Sequence, residues 1–305
     1  MLRIPEITAY NYLILLEQTL RVFEMDEETI WEFVWPVVAA VIEATMREDE
    51  TAVISHLAPG GIAADLGDLF GLAVFDILLK TTLGHDQLNL TQVVETEDGV
   101  FIEFAWQGPA VSAAGMPVDQ AVCVLLKLVN GRFHITDINP SSLNLYLTAA
   151  RARAVLATAK ILSQRDALTP EPWVLPLTLY GGFLPLPLRP ASFHDAIETL
   201  LLPGLQTREY GVLSLVKARR LWRDFKAVHP LPTGQPADWA AAVEWVMSEQ
   251  NSRAVRETAV AQYYTATPAK LRAHAAAIKN TLSITSVDPR YAEWQMVDMF
   301  YQEES

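Results

Sequence analysis

The sequence predicts an α+β fold: N-terminal helices packed on a curved antiparallel sheet, making a cone, followed by an all-α C-terminal region. Three observations predict it. Apolar residues before position 80 recur every three to four residues. Between 88 and 138 they alternate with period two around two hairpin-turn signals, and beyond 148 helical spacing returns. Helices followed by antiparallel hairpins is the order in which helices cover one face of a sheet.

A first helix is expected over 6–23, where Leu13, Leu16, Leu20 and Phe23 form one stripe. A second begins in the acidic turn at 26–28, where negative charge suits a helix N-terminus. Ile30, Phe33, Val34, Val37, Val38 and Val41 give it a buried face, and Pro36 inside that run predicts a kink. Pro59-Gly60-Gly61 marks a loop, and a third helix follows at about 67–82. Then the rhythm changes. Residues 88–96 (LNLTQVVET) read as a strand, Glu97-Asp98-Gly99 as a hairpin turn and VFIEFAW (100–106) as the returning strand. AVCVLLKLV (121–129) and RFHITDI (132–138), joined by Asn130-Gly131, form the second hairpin, which Asn139-Pro140 ends.

Past 148 an alanine-rich helix is expected over 148–166. Residues 169–190 hold six of the chain's 18 prolines together with Gly181-Gly182, which argues against a regular helix or an interior strand. The apolar content there (Trp173, Leu175, Leu177, Leu179, Phe183) predicts that the stretch lies across another surface. Ser192 with Asp195 resembles a capping box for a helix at 193–202. The helix at 212–228 is amphipathic: Leu215, Ala218, Trp222 and Phe225 form its stripe, with Lys217, Arg219, Arg220, Arg223 and Lys226 on the other side. That basic side reads as a solvated face; contact with phosphates, an acidic partner or the chain's own acidic half are the alternatives. Helices at 237–250, 253–264 and 268–282 follow, the last with Thr267 as N-cap and Pro268 as first residue. The expected organisation is an N-terminal helix (1–25), an α+β region (26–150), a helical and proline-rich connection (151–235), a helical region (236–285) and an acidic, aromatic tail (286–305).

The chain is 305 residues long, 51% apolar and 19% charged, which favours a folded protein with a sizeable core. Its charge is unevenly placed. Residues 1–150 hold 6 Lys/Arg against 21 Asp/Glu, a net of −15, whereas 151–305 hold 17 against 15, a net of +2. The acidic half repels nucleic acid, so any such contact is expected from the second half. The single cysteine, Cys123, lies in an apolar run and is expected in the core. No secretory signal and no run long enough to span a membrane is visible, so a cytoplasmic location is expected.

A kinked helix, further helices, two hairpins and a last strand reading N-G-R-F-H-I-T-D-I-N-P-S resemble the nuclear transport factor 2-like (SnoaL-like) cone over residues 27–148. Phe133, Ile135, Asp137 and Ile138 match its closing strand. The resemblance implies a cone that serves enzymes, ligand-binding modules or protein-interaction domains, and a homodimer through the open sheet face. Enzymes of this fold place acids and bases on the concave face, which makes Asp76, Glu103, His134 and Asp137 the catalytic candidates. Each has a plainer reading. Lys80 lies four residues beyond Asp76 in the favourable order for an ion pair. Glu103 alternates with Ile102 and Phe104 and is expected to face water. His134 and Asp137, three apart in one strand, are expected on opposite faces and so cannot form a dyad.

The helices at 253–264 and 268–282, joined by Thr265-Ala266-Thr267, resemble a helix-turn-helix. Lys270, Arg272 and Lys279, with His274, would then be the nucleic-acid contacts, and residues 251–282 carry a net charge of +4. The turn glycine is missing, and Ala273, Ala275, Ala276 and Ala277 offer little to a base edge. The reading is therefore a degenerate motif used for packing or protein contact, then coincidental helical spacing, then DNA binding.

No phosphate-loop, dinucleotide, zinc-hydrolase, serine-hydrolase or calcium-loop signature is present, and the six histidines (56, 85, 134, 194, 229, 274) are dispersed. No cofactor or metal is therefore expected. The expected function is non-catalytic: a cone that binds a small apolar ligand or a protein partner, joined to a helical interaction region. A cone-pocket enzyme of isomerase, dehydratase or hydrolase type is the first alternative, and a DNA-binding regulator with a ligand-sensing cone the second.

Overall fold

The structure, a computed structural model, describes residues 30–80, 88–96, 99–106, 121–143, 149–165, 174–229 and 233–294. The helix expected at 6–23 lies outside them. The chain divides into two compact units, Met1–Asn144 with Thr158–Leu177, and Leu145–Ala157 with Thr178–Ser305.

In the first unit a π-helical turn, Ile30–Val34, continues as α1 (Trp35–Met46). Pro36 falls in the first turn of α1, where a missing N–H is tolerated, so it starts the α-helix instead of kinking its middle. The short α2 (Glu50–Ser55) is capped by Asp49, whose carboxylate accepts from the Ala52 N–H at 3.0 Å. Two helices, α3 (Ile62–Phe70) and α4 (Leu72–Leu78), replace the single one expected at 67–82. Gly71 separates them at φ 67°, ψ −152°, a conformation open to glycine and costly for any other residue.

The strands β1 (Leu88–Thr96), β2 (Gly99–Trp106), β3 (Ala121–Val129) and β4 (Arg132–Pro140) form an open antiparallel meander in the order β1-β2-β3-β4. The last runs two residues further than the alternation indicates. Asn130 and Gly131 take φ 51° and 76°, as a two-residue turn matched to strand twist requires. With the helices before it, this sheet makes an α+β fold.

Register sorts the side chains into faces. Val93, Ile102, Val124 and Ile138 line up across the four strands, and Val100, Leu126 and Ile135 form a neighbouring row. All seven are buried, five of them at 0% exposure. Phe104 of the same face meets Trp35 of α1 edge-to-face at 6.1 Å, and the Trp106 indole N–H donates to the Leu79 carbonyl at 2.7 Å. The helices therefore cover this face, and α1, α3 and α4 all touch β4. Residues 56–58 run beside β4: the Ala58 N–H donates to the Ile135 carbonyl (2.8 Å) and the Ile135 N–H to the His56 carbonyl (2.9 Å). This strap occupies backbone groups that an open sheet edge would leave unpaired.

The helix α5 (Ala149–Arg165) spans the boundary between the units in sequence. Inside the proline-rich stretch, where no regular helix is expected, α6 (Leu175–Tyr180) forms one short helix with Pro176 in its first turn. Val174, Leu177, Leu179 and Tyr180 are buried. The second unit continues with α7 (Ala196–Thr207), α8 (Val212–Val228), α9 (Pro236–Gln250), α10 (Glu257–Tyr263) and α11 (Pro268–Leu282). The N-cap of α7 is Asp195, not Ser192; its carboxylate accepts from the Ile197 and Glu198 N–H groups at 3.0 and 2.9 Å. At the centre stands α9, in contact with α7, α8, α10 and α11. Ala240, Ala241 and Ala242 allow close approach on its several sides, which accounts for a helix buried nearly all round. Trp222, Phe225 and Trp239 cluster beside it with ring centroids 5.1–5.9 Å apart.

Candidate functional site

The four catalytic candidates do not converge. Asp76 sits on α4 on the helical side of the sheet, half-buried. Glu103 lies on the sheet's other face, opposite Cys123, in the row that continues to Asn139. Asp137 and His134 lie on that same face, contrary to the expectation from strict alternation. Leu126 pairs with Ile135 but Leu125 pairs with Asp137, so Thr136 is an extra residue in a bulge that shifts the alternation by one. Sharing a face does not make them a dyad. His134 Nδ1 lies 3.1 Å from the Arg132 carbonyl, and Asp137 Oδ1 accepts from the Ile138 N–H at 2.9 Å.

Glu103 is the centre of a polar cluster on the sheet. A second bulge, at Thr91, turns that hydroxyl onto the carboxylate, where it donates to Oε1 at 2.8 Å. Ser141, just past β4, donates to Oε2, and the Cys123 thiol lies 3.5 Å from the same oxygen and 3.4 Å from the Ser141 hydroxyl. So Glu103 does not simply face water. Hydroxyls that donate to a carboxylate are held as donors, and a carboxylate is the wrong neighbour for a nucleophilic thiolate, which needs a cation or a base. Phe101, Cys123, Leu125, Asp137 and Asn139 of this face are buried within the chain.

The nucleic-acid candidates are also engaged internally. Lys270 pairs with Asp238 of α9 at 3.0 Å, Arg272 with Glu257 of α10 at 3.1 Å, and Lys279 with Glu249 of α9 at 2.9 Å. His274 stacks on Trp239 with ring centroids 4.0 Å apart. Leu271, Ala275, Ile278 and Leu282 face inward, leaving Ala269, Lys270, Arg272, Ala273, Ala276 and Asn280 exposed on α11. Thr265, at φ 58°, takes the left-handed position in the turn.

The basic side of α8, expected to be solvated, is turned into the unit. Arg219 and Glu198 are both 0% exposed and 3.5 Å apart, and Arg223 reaches Glu198 at 3.2 Å. Lys226 and the Trp222 indole N–H both donate to Asp195, at 2.6 and 2.9 Å. Burial acts against the Asp195 carboxylate's charge, but the Lys226, Glu198 N–H and Trp222 hydrogen bonds outweigh it and hold its pKa below the usual range. Lys217 donates to the carbonyls of Pro289 and Arg290. A helical wheel separates charged from apolar residues, but the acids that meet these bases lie 21 to 31 positions upstream, at the N-cap and in the first turn of α7.

A further buried acid escaped the sequence reading. Glu244 of α9, at 0% exposure, accepts from Arg208 Nε (2.6 Å) and the Tyr210 hydroxyl (3.3 Å). Tyr264 lies near enough to the same carboxylate to feel its charge, and its ring sits over Gly204, where a Cβ would crowd its hydroxyl. Burial first, and then Glu244, push both tyrosines upward, so both stay neutral, Tyr210 as a donor to Glu244. The one signal was an acid inside the apolar run AAAVEWVM; its partners lie 34 to 36 positions upstream and 20 downstream. Glu293, half-buried and receiving the Ser214 hydroxyl, is likewise raised by the desolvation of its carboxylate.

Among the described residues no group of three or more His, Cys, Asp or Glu is placed to hold a metal ion, and no helix is long and apolar enough to cross a membrane. No protein-family profile, curated protein or solved structure matches the chain.

Proposed function

We infer that this chain is a non-catalytic interaction protein whose α+β unit presents a surface to a protein partner and whose helical unit is a self-contained scaffold. One observation carries the reading. The layer between α1, α3, α4 and the sheet, where a cone would hold a ligand or catalytic groups, is filled: Val38, Val41, Ile42, Leu66, Leu69 and Val74 are fully buried there, as are Ile102, Phe104, Val124 and Leu126 opposite them. A space able to admit a water molecule would leave its lining partly exposed. The order of elements supports placing this unit among nuclear transport factor 2-like cones, whose members include interaction domains without catalysis. The first 150 residues carry a net charge of −15, which suits a basic partner surface.

Two titrations of the intact chain test this. An apolar fluorescent probe is expected to show no saturable binding, while a lysine-rich peptide is expected to bind with an affinity that falls as salt is raised. Saturable probe binding that Ile102→Trp abolishes would replace the interaction reading with a ligand-binding one.

A further inference from the structure

We propose that His56 and His134 form a binding site for a divalent late transition-metal ion, such as zinc or nickel, that fastens the 56–58 strap to the edge strand β4. The bridge pairs Leu57 with Ile135 in parallel, and each histidine precedes its bridged residue by one position. The two are therefore side by side across the bridge, on backbones that neighbouring-strand spacing sets about 5 Å apart. Leu57 and Ile135 are buried while both imidazoles are half-buried, so the rings lie at the boundary with solvent.

The orientation of His134 suits a ligand. Its Nδ1 lies 3.1 Å from the Arg132 carbonyl, the outer-sphere bond that metal-bound histidines commonly make, and this fixes the tautomer with its lone pair on Nε2. Imidazole nitrogens suit zinc, nickel and copper, with water completing the sphere of a two-ligand site. Lys127, directly across β3–β4 from His134, and Arg132 put positive charge nearby, which keeps the site weaker than a three-histidine centre.

The two histidines are 78 positions apart, which is why no metal spacing is visible in the sequence. The site does not depend on the interaction reading above.

Calorimetric titration of the intact chain with Zn2+ or Ni2+ alone is expected to show one saturable site and a metal-dependent rise in Tm. His56→Gln and His134→Gln should each weaken binding about tenfold or more, with no further loss in the double variant, whereas His229→Gln should bind as the wild type does. In the unsubstituted chain, Cu2+ should broaden the ring-proton resonances of His56 and His134 before those of His194, His229 and His274. Absence of saturable binding, or unchanged affinity in either single variant, would overturn the proposal.

Discussion

Phe104→Ala tests whether the helix–sheet layer is as closed as the burial values make it. The side chain is 0% exposed, its ring meets Trp35 at 6.1 Å, and its strand neighbours are Leu90 and Val122. Buried Phe→Ala changes cost about 3–5 kcal/mol through lost transfer energy and the cavity left behind. An edge-to-face aromatic pair contributes roughly 1 kcal/mol within that range. A loss of about 4 kcal/mol is expected because the sheet on one side and α1 on the other limit collapse. In urea, with a slope of about 2 kcal/mol per molar, that moves the unfolding midpoint down by roughly 2 M with the slope unchanged. The same variant should acquire saturable binding of benzene or indole, which the wild type lacks. A loss below about 1 kcal/mol would show that the ring already borders open space, and the argument from filling would fail.

Three other perturbations follow from named contacts. A Cβ on Gly211 would run into the Tyr180 carbonyl, so Gly211→Ala should destabilise the chain by about 3 kcal/mol in the same urea assay. Lys270→Ala strips the buried Asp238 carboxylate of its cation and should cost about 1–2 kcal/mol, whereas Lys279→Ala, at a more exposed pair, should cost less than about 0.5 kcal/mol. Neither should alter retention on immobilised duplex DNA. Asp195 has a folded pKa below its unfolded value of 3.8, so its contribution to stability is present above that value and lost as pH falls through the folded one. Asp195→Asn keeps an N-cap but removes the charge that Lys226 meets, so its stability should fall less steeply with acid than the wild type's over that window.

The sheet was legible because its signals are local. Alternation over 88–138 and the Asn130-Gly131 turn are contained in the segment they organise, and β1 to β4 form there. Two local signals lead to a different structure from the one they predict. Pro36 marks a helix start where its place in the pattern predicts a kink, and Gly71, at φ 67°, breaks the single helix that the spacing predicts. The bulge at Thr136 has no marker in RFHITDI, yet it brings His134 and Asp137 to one face. Contacts between distant positions were the least visible. Arg219 has the same place in the α8 pattern as a solvated arginine, and only the arrival of Glu198 from α7 separates the two cases. The same holds for Glu244 and Arg208, and for the edge shared by His56 and His134, each of which depends on packing that periodicity does not encode.

Among the described residues, the side chains between the N-terminal helices and the sheet pack as an apolar core. Crystals of the unsubstituted protein under xenon pressure measure that space directly, because xenon enters dry cavities without needing polar partners. No xenon is expected between α1, α3, α4 and the four strands. An occupied site among Ile102, Phe104 and Val124 would contradict it.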